Sequence, residues 1–185
     1  MRVISGTLKG RNIKGYDIDG TRPTMDRVKE SVFGIVQNNL KNSVCLDLFC
    51  GSGNLGIEAI SNGANLCYFV DNNIKAIKVV EENIKNLNIK QYSKILNIDY
   101  KRSLKYFNEN NTKFDLIFVD PPYDYHVIEK VIKYVSEYNL LNENGLLILE
   151  FENEKLEDSY NNLKLIKSKK YSWKYVYIYK NTNDL

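Results

Sequence analysis

The fold of this chain is decided by one stretch, which reads Leu46-Asp47-Leu48-Phe49-Cys50-Gly51-Ser52-Gly53-Asn54-Leu55-Gly56. It begins as an apolar run typical of a buried strand, passes through a glycine-rich turn, and continues into a helical pattern from Ile57 to Asn62. Its glycines spell G-x-G-x-x-G, a spacing that lets a ligand approach the backbone closely at the amino end of a helix. Because this spacing alone is a weak signal, its meaning depends on the residues further along the chain.

The next apolar run supplies an acidic residue at the distance expected for a nucleoside-binding site. The run Leu66-Cys67-Tyr68-Phe69-Val70 ends at Asp71, close to the spacing of ~20 residues at which a carboxylate can hold ribose hydroxyls. Two cofactors fit this pattern, a dinucleotide and S-adenosylmethionine. A dinucleotide needs its pyrophosphate at the helix amino end and gives Asp47 no role. A carboxylate at Asp47 suits the cationic methionine end of S-adenosylmethionine, which is therefore favoured.

A second motif, Asp120-Pro121-Pro122-Tyr123, directly follows the apolar run Leu116-Ile117-Phe118-Val119. Proline fixes its own φ and keeps the preceding residue out of the helical region, so this strand end is expected to be extended. The Asp120 carboxylate and neighbouring carbonyls then form a group of acceptors beside one aromatic ring. Such a group suits a planar substrate with an amino group, such as a nucleobase. A Pro-Pro turn closed by a surface tyrosine is the alternative, and the upstream glycine loop favours the catalytic interpretation.

Apolar runs and amphipathic stretches alternate along the middle of the chain, which predicts a mostly parallel α/β sheet with helices on both faces. Strands are expected at 44–49, 66–70, 93–98, 114–119 and 145–150. Helices are expected at 54–62, 74–87, 104–107 and 126–138. After Glu150 the pattern changes to period two at 163–167 and 173–179, with a turn at 168–172 between them. This change predicts an antiparallel carboxy-terminal hairpin.

Length and composition fit a single domain. A chain of 185 residues can bury one full core, and no run approaches the ~18 apolar residues of a membrane span. We therefore expect a soluble, cytoplasmic protein. The three cysteines lie in or beside apolar runs without C-x-x-C spacing, and His126 is the only histidine, so the sequence gives no basis for a metal site. The cysteines are expected to serve packing.

Positive charge is concentrated at the two ends of the chain. Residues 1–30 carry seven basic and four acidic side chains, and residues 164–180 carry six lysines and no acid, although the net charge is only +3. Two basic patches beside a pocket of acceptors suit a polyanion, whose phosphates position it without specifying sequence. Solvated surface faces are the alternative. We expect RNA contact from Lys9, Arg11 and Lys14, because residues 2–14 are typical of a two-stranded arm with few apolar residues.

Three parts of the sequence together resemble the RsmD-type methyltransferases. They are the opening segment Met1-Arg2-Val3-Ile4-Ser5-Gly6, the segment Gly20-Thr21-Arg22-Pro23-Thr24-Met25-Asp26-Arg27-Val28-Lys29-Glu30, and the pair formed by Asp47–Gly56 and Asp120–Tyr123. The resemblance extends over nearly the whole chain. It implies the Rossmann-like, doubly wound class I fold, with a mostly parallel seven-stranded sheet, an antiparallel carboxy-terminal strand and a small amino-terminal arm. The implied organisation is a β-hairpin arm at 1–20 and one cofactor-binding domain at 21–185.

The resemblance also implies an activity, the S-adenosylmethionine-dependent methylation of the exocyclic N2 of a guanine in 16S ribosomal RNA, at position 966. The implied enzyme is a monomer that acts on a small-subunit assembly particle and uses neither a metal nor a membrane. The predicted catalytic residues are Asp120, Pro121, Pro122 and Tyr123. The predicted cofactor-binding residues are Asp47, Phe49, Gly51, Ser52, Gly53, Asp71, Asn72, Asp99 and Asp120. The predicted RNA-binding residues are Arg2, Lys9, Arg11, Lys14, Arg22, Thr24 and Arg27.

Three other functions are compatible with parts of the pattern. The first is another amino methyltransferase, acting on adenine N6 or on a protein glutamine. Glutamine-directed enzymes usually begin the motif with Asn, so Asp120 counts against them, and DNA adenine enzymes usually carry a further recognition domain. The second is a nonenzymatic RNA-binding protein with the same fold, against which the intact glycine loop and Asp120–Tyr123 motif both count. The third is a nicotinamide-dependent reductase, which should bind NAD in a titration.

Overall fold

The computed structural model describes residues 1–15, 23–122, 127–152 and 155–182. Within these ranges, strands and helices alternate as the apolar pattern predicts. The helices are α1 Pro23–Leu40, α2 Asn54–Ser61, α3 Ile74–Asn86, α4 Tyr100–Glu109 and α5 Ile128–Glu137. The strands are β1 Val44–Leu48, β2 Leu66–Val70, β3 Ser93–Leu96, β4 Phe114–Val119, β5 Leu141–Phe151, β6 Ser159–Tyr160, β7 Leu163–Tyr171 and β8 Lys174–Asn181. No helix in the described ranges is long and apolar enough to cross a membrane.

All the strands of the described ranges form one sheet, in the order β3-β2-β1-β4-β5-β8-β7-β6. Strands β3 to β5 are parallel to one another, and β8, β7 and β6 pair in antiparallel fashion beyond β5. The strand order reverses between β1 and β4, and ligands of open α/β sheets bind outside the carboxyl ends of the strands at such a point. The predicted class of fold is confirmed, with eight strands instead of seven because the two-residue β6 pairs with β7.

The sheet is covered by helices on both faces, which explains why its central strands are almost continuously apolar. On one face, α1, α2 and α3 pack against the sheet in one apolar cluster, and the rings of Phe33 and Phe118 stack at 5.5 Å between α1 and β4. On the other face, α4 and α5 form a second cluster around Phe107 and Phe114, whose ring centroids are 4.9 Å apart. The three cysteines are buried in the first of these clusters as free thiols.

The helix expected at 104–107 is longer than its apolar spacing suggests. It begins at Tyr100, because Asp99 caps it: the Asp99 carboxylate accepts hydrogen bonds from the backbone N–H groups of Lys101 at 3.0 Å and Arg102 at 3.1 Å. A carboxylate at this position satisfies donors that the first helical turn leaves without partners. The cap, not the apolar residues, therefore decides where α4 starts.

The turn predicted at 168–172 is wrong, because β7 continues through this polar stretch to Tyr171. The chain reverses at Ser172 and Trp173 instead, and Ser172 takes the left-handed conformation with φ 54°. The pairing of β7 with β8 shifts register between Leu165 and Lys167. Such a bulge changes the face to which the following side chains point, so simple alternation does not extend through the strand.

The amino-terminal segment, residues 1–15, folds back on itself and packs on the helical core. Arg2 and Asn12 form an antiparallel bridge, and the Val3 N–H donates to the Arg11 carbonyl at 2.9 Å. Val3 and Ile13 are 1% and 2% exposed and belong to the core cluster. Two branched side chains therefore anchor the arm in the core, although it has few apolar residues. Its predicted boundary at residue 20 lies outside the described residues.

Candidate active site

The carboxyl ends of β1, β2, β4 and β5 meet at one edge of the sheet, as parallel neighbours must. Asp47, near the end of β1, is 2% exposed, and its carboxylate accepts a hydrogen bond from the backbone N–H of Gly56 at 2.8 Å. Burial raises the pKa of Asp47 well above its usual value, and the carboxylates of Asp120, Asp71 and Glu150 raise it further. Four acidic side chains thus gather at this edge, an environment that suits a cationic ligand.

The glycine loop connects β1 to α2 and fits its surroundings only with glycine at two positions. Gly53 has φ 81°, and a Cβ there would lie 2.4 Å from Cγ2 of Val80. A Cβ at Gly56, in the first turn of α2, would lie 2.4 Å from Cε1 of Phe69 and 2.7 Å from Sγ of Cys67. The loop and helix therefore lie closer to β2 and α3 than any other residue would allow, which matches the role of glycine in close helix packing.

Asp71 follows β2 directly and holds the glycine loop. One carboxylate oxygen accepts from the Gly51 N–H at 3.0 Å, and the other accepts from the Asn73 N–H at 2.8 Å. Gly51 has φ 52°, in the left-handed region that glycine adopts without strain. The predicted pairing of a glycine turn with an acidic strand end is therefore present in space, with Asp71 half-buried and Asn72 exposed beside it.

The remaining predicted cofactor residues surround this loop in different ways. Phe49 follows β1 in the left-handed conformation, with φ 63°, and its ring lies 5.4 Å from that of Tyr100 at the start of α4. Ser52 is buried, and its carbonyl accepts from the side-chain amide of Asn83 at 2.9 Å. Asp99 is half-buried and caps α4, which places its carboxylate after β3 at the same edge of the sheet.

The second motif lies where β4 ends, next to β1. Asp120 has a side chain 30% exposed, Pro121 is buried and Pro122 is exposed. Register pairs Leu48 of β1 with Val119 of β4, so Asp120 lies immediately beyond the last pair, beside the start of the glycine loop. Tyr123, predicted to stack on a base, lies outside the described residues.

Sequence reasoning missed two residues beside Asp120, a lysine that contacts it and a glutamate that contacts the lysine. Lys174, the first residue of β8, places Nζ 3.1 Å from Oδ1 of Asp120 and 2.7 Å from Oε2 of Glu150. Glu150 is 6% exposed, and burial raises its pKa from 4.5 to about 7, with the Asp120 charge raising it and Lys174 opposing the rise. One signal in the sequence was available, since an acid inside the otherwise apolar end of β5 requires a buried partner.

A buried ion pair fastens the amino-terminal segment to the helix that follows the glycine loop. Lys29 of α1 and Glu58 of α2 are 2% and 0% exposed, with Nζ and Oε2 3.0 Å apart. Glu58 also accepts from the backbone N–H groups of Ile4 at 3.0 Å and Ser5 at 2.8 Å. Nζ of Lys29 donates to the side chain of Asn54, the first residue of α2, at 2.8 Å. The opening segment therefore supports the position of α2.

Asn83 of α3 makes a second connection between the same parts. Its side chain is 2% exposed, donates to the Ser52 carbonyl, and pairs with the backbone of Lys14 through an accepted bond of 2.8 Å and a donated bond of 3.0 Å. One amide thus joins the glycine loop to the end of the opening segment. No periodicity of the sequence reveals it, because its partners are separated by 31 and 69 residues.

Most of the predicted RNA-binding residues are exposed, and some have partners within the protein. The exposed ones in the described ranges are Arg2, Lys9, Arg11, Lys14 and Arg27. Lys14 pairs with Glu82 at 2.7 Å, and Arg11 donates to the carbonyl of Asn86 at 3.0 Å. Arg22 and the side chain of Thr24 lie outside the described part of the chain. Among the described residues, no cluster of histidine, cysteine and acidic side chains could hold a metal ion.

The strand order, the glycine loop on Asp71 and the acidic carboxyl edge with Asp120 together define a class I methyltransferase. The model of a family described as conserved hypothetical protein 95 matches residues 1–180. YlbH of Bacillus subtilis is 39% identical over 181 residues, which span 97% of this chain and 98% of YlbH. Ribosomal RNA small subunit methyltransferase D of Buchnera aphidicola is 37% identical over 150 residues, 81% of this chain and 77% of the relative. The chain belongs to this family, the RsmD-type methyltransferases.

Solved structures agree with this assignment. The solved structure of the methyltransferase YhhF of Escherichia coli superimposes with a TM-score of 0.86 at 26% identity, and the match covers 100% of this chain and 99% of that one. The match therefore includes the opening segment and the carboxy-terminal hairpin, and it confirms the resemblance on which the expected fold rests.

Proposed function

We propose that this protein transfers the methyl group of S-adenosylmethionine to the exocyclic N2 of a guanine in 16S ribosomal RNA, guanine 966. Relatives that carry the name ribosomal RNA small subunit methyltransferase D, at 37% and 33% identity, support the substrate. The observation that carries the chemistry is the position of Asp120. Its partly exposed carboxylate lies at the end of β4, beside the strand that leads into the glycine loop.

The residues at the carboxyl edge fit S-adenosylmethionine by their chemistry. The buried and half-buried carboxylates of Asp47 and Asp71 suit the cationic methionine end and the ribose hydroxyls of this molecule. Gly51 and Gly53 leave room for close approach along the loop, and Asp99 is available to accept a hydrogen bond from the adenine amino group. When bound there, S-adenosylmethionine would supply a sulfonium methyl for the amine nitrogen, with its carbon–sulfur bond as the bond that breaks.

Asp120 and Pro121 would act on the amine. The lone pair of an exocyclic guanine amine is delocalised into the ring, so the amine is a weak nucleophile. Acceptors at the Asp120 carboxylate and the Pro121 carbonyl can hold both amino hydrogens and turn the nitrogen lone pair toward the methyl group. Orientation of this kind contributes up to ~7–11 kcal/mol in ideal intramolecular reactions. As the N–C bond forms, the nitrogen loses one proton, and Asp120 is the base in position to take it.

The base must leave its stack to reach this edge, because an amine inside a paired stem cannot enter a pocket. Tyr123 would stack on the extruded base. The exposed basic residues of the opening segment and of α1 would contact phosphates and position the RNA without specifying sequence. We further propose that the enzyme works in the cytoplasm as a monomer on a small-subunit assembly particle, where folded RNA and protein present the base.

Methyl labelling of ribosomal particles tests the proposal. Small-subunit particles from a strain that lacks this gene are incubated with the protein and S-adenosylmethionine labelled with tritium in the methyl group, and the RNA is digested to nucleosides. We expect the label in N2-methylguanosine. Label in N6-methyladenosine would overturn the substrate, and an Asp120→Ala variant that still transfers methyl groups at the wild-type rate would overturn the proposed chemistry. Binding of S-adenosylmethionine by the variant serves as the control for folding.

A further inference from the structure

Lys174 reaches the carboxyl edge of the sheet because β8 runs antiparallel to its neighbour. The parallel strands end at this edge, whereas β8 begins there, and its register pairs Tyr175 with Phe151 and Val176 with Glu150. The first residue of β8 is therefore carried past the end of β5 toward the end of β4. A lysine at this position lies within reach of both strand ends, although it is separated from Asp120 by 54 residues of sequence.

The side chains of Lys174, Glu150 and Asp120 form a charged cluster with a buried side and an open side. The side chains of Lys174 and Glu150 are 9% and 7% exposed, whereas that of Asp120 is 30% exposed. The ion pair of Lys174 and Glu150 thus forms the buried side of the cluster, and the Asp120 carboxylate forms its open side. Lysine is a point charge on a flexible stem, so a second, buried anchor is needed to fix Nζ in one place, and Glu150 provides it at 2.7 Å.

The Asp120 oxygen that accepts from Nζ of Lys174 is Oδ1, at 3.1 Å. A carboxylate has two oxygens that accept independently. A bond from a buried ammonium to Oδ1 limits rotation of the carboxylate and leaves Oδ2 to accept from a substrate amine. The geometry needed for methyl transfer is demanding, since a displacement of about 1 Å can cost about 100-fold in rate. A carboxylate that rotates freely would spend little time in the productive orientation.

We propose that Lys174 is a positioning residue for methyl transfer, which holds the Asp120 carboxylate by one oxygen while Glu150 anchors the lysine from the buried side. This inference rests on the proposed role of Asp120. It assigns a function to the carboxy-terminal hairpin: β8 brings to the site the cation that orients the acceptor on β4. It also accounts for an acid inside β5, because Glu150 contacts the lysine and not the solvent.

Lys174→Met keeps most of the length of the side chain, one atom short of lysine, and removes its charge. Since the variant loses orientation and not the methyl donor, kcat should fall ~10–100-fold while KM for S-adenosylmethionine changes less than ~3-fold. Lys105→Met, which removes an exposed lysine of α4 that pairs with Glu109 at 3.6 Å, is the matched control and should retain the wild-type kcat. Methyl transfer is measured as total label in RNA, whichever nucleoside receives it.

A double-mutant cycle separates positioning from a merely structural effect. If Lys174 acts through Asp120, then Lys174→Met in an Asp120→Asn background should lower kcat by less than ~2-fold. A kcat of Lys174→Met within twofold of wild type, or a full additional loss in the Asp120→Asn background, would overturn the inference. If Lys174→Met does not fold, the double variant Lys174→Met with Glu150→Leu is used instead. It replaces the buried pair by apolar groups, a change that proteins often tolerate. The same limits on kcat apply to it.

The two proposals fail in different ways in this assay. If the wild-type protein transfers no methyl group to RNA, the proposed function is refuted. If it transfers methyl groups and Lys174→Met does so equally well, only the positioning role of Lys174 is refuted.

Discussion

Replacement by alanine should have opposite effects on stability at two helical glycines of this chain. At Gly34, on the exposed side of α1, an added Cβ meets no atom within 4 Å. At Gly56, in α2, the Cβ would lie 2.4 Å from Cε1 and 2.8 Å from Cζ of Phe69, and 2.7 Å from Sγ of Cys67. Phe69 and Cys67 are both 0% exposed and belong to β2, so neither can move into solvent to relieve the contact.

The expected changes in the free energy of unfolding follow from these distances. Alanine is favoured over glycine in a helix by about 0.8–1.0 kcal/mol, so Gly34→Ala should raise the free energy of unfolding by up to that amount. Gly56→Ala gains the same propensity, but overpacking of a rigid core typically costs about 1–3 kcal/mol. Three contacts below 3 Å place the cost of Gly56→Ala at the upper end of that range. We therefore expect its free energy of unfolding to fall by a net amount of about 1–2 kcal/mol.

The consequence of Gly56→Ala should extend to the cofactor. The backbone N–H of Gly56 donates to Asp47 at 2.8 Å, and a displacement of α2 away from Phe69 breaks this bond and moves the glycine loop. Urea unfolding measures the stability of both variants, and isothermal titration calorimetry measures their affinity for S-adenosylmethionine. A Gly56→Ala protein as stable as Gly34→Ala, with unchanged affinity, would refute the close packing of the loop against β2.

Three further outcomes are expected at charged residues. Lys29→Ala leaves the fully buried Glu58 without its cation and should cost about 3–5 kcal/mol of stability in urea unfolding. The control Lys105→Ala, at an exposed pair, should cost less than about 0.5 kcal/mol. Equal losses of stability in the two variants would contradict the burial of the Lys29–Glu58 pair. Glu150 has a pKa of about 7 in the folded chain against 4.5, so its contribution to stability is fully present below 4.5 and is lost as the pH rises through about 7. As the pH rises from about 5 to about 8, the free energy of unfolding of Glu150→Gln should therefore increase by up to about 3 kcal/mol relative to that of wild type. A difference in unfolding free energy that stays constant over this range would contradict the raised pKa. Asp71→Asn should weaken S-adenosylmethionine binding by roughly tenfold, since a charged acceptor is lost; calorimetry that shows unchanged affinity would exclude Asp71 from the cofactor site.

The parts of the fold that are local in sequence could be predicted. The apolar run of β1, the glycines after it and the acid at the end of β2 lie within one supersecondary unit, and Asp71 indeed binds the Gly51 N–H. The alternation of strands and helices likewise indicated the parallel part of the sheet. These features depend on hydrophobic period and turn chemistry, which are written in consecutive residues.

The features that sequence reasoning missed depend on contacts between distant segments. Lys174 and Asp120 are 54 residues apart, and nothing in the period of β8 indicates that its first residue contacts the end of β4. The hairpin turn was misplaced because a bulge near Lys167 interrupts the alternation on which the prediction relied. The opening segment has few apolar residues, yet Val3 is almost completely buried, since the number of apolar side chains does not determine where they pack.

Whether an exocyclic guanine amine accepts the methyl group is decided by removing that amine from the RNA. Inosine differs from guanosine by the absence of the N2 group, so small-subunit particles reconstituted with inosine at position 966 keep the shape of the substrate without its nucleophile. Methyl transfer is followed by mass spectrometry of the digested RNA. We predict N2-methylguanosine with the natural particle and no methylation with the inosine particle. A methylated inosine, or equal transfer to both particles, would show that the N2 amine is not the methyl acceptor.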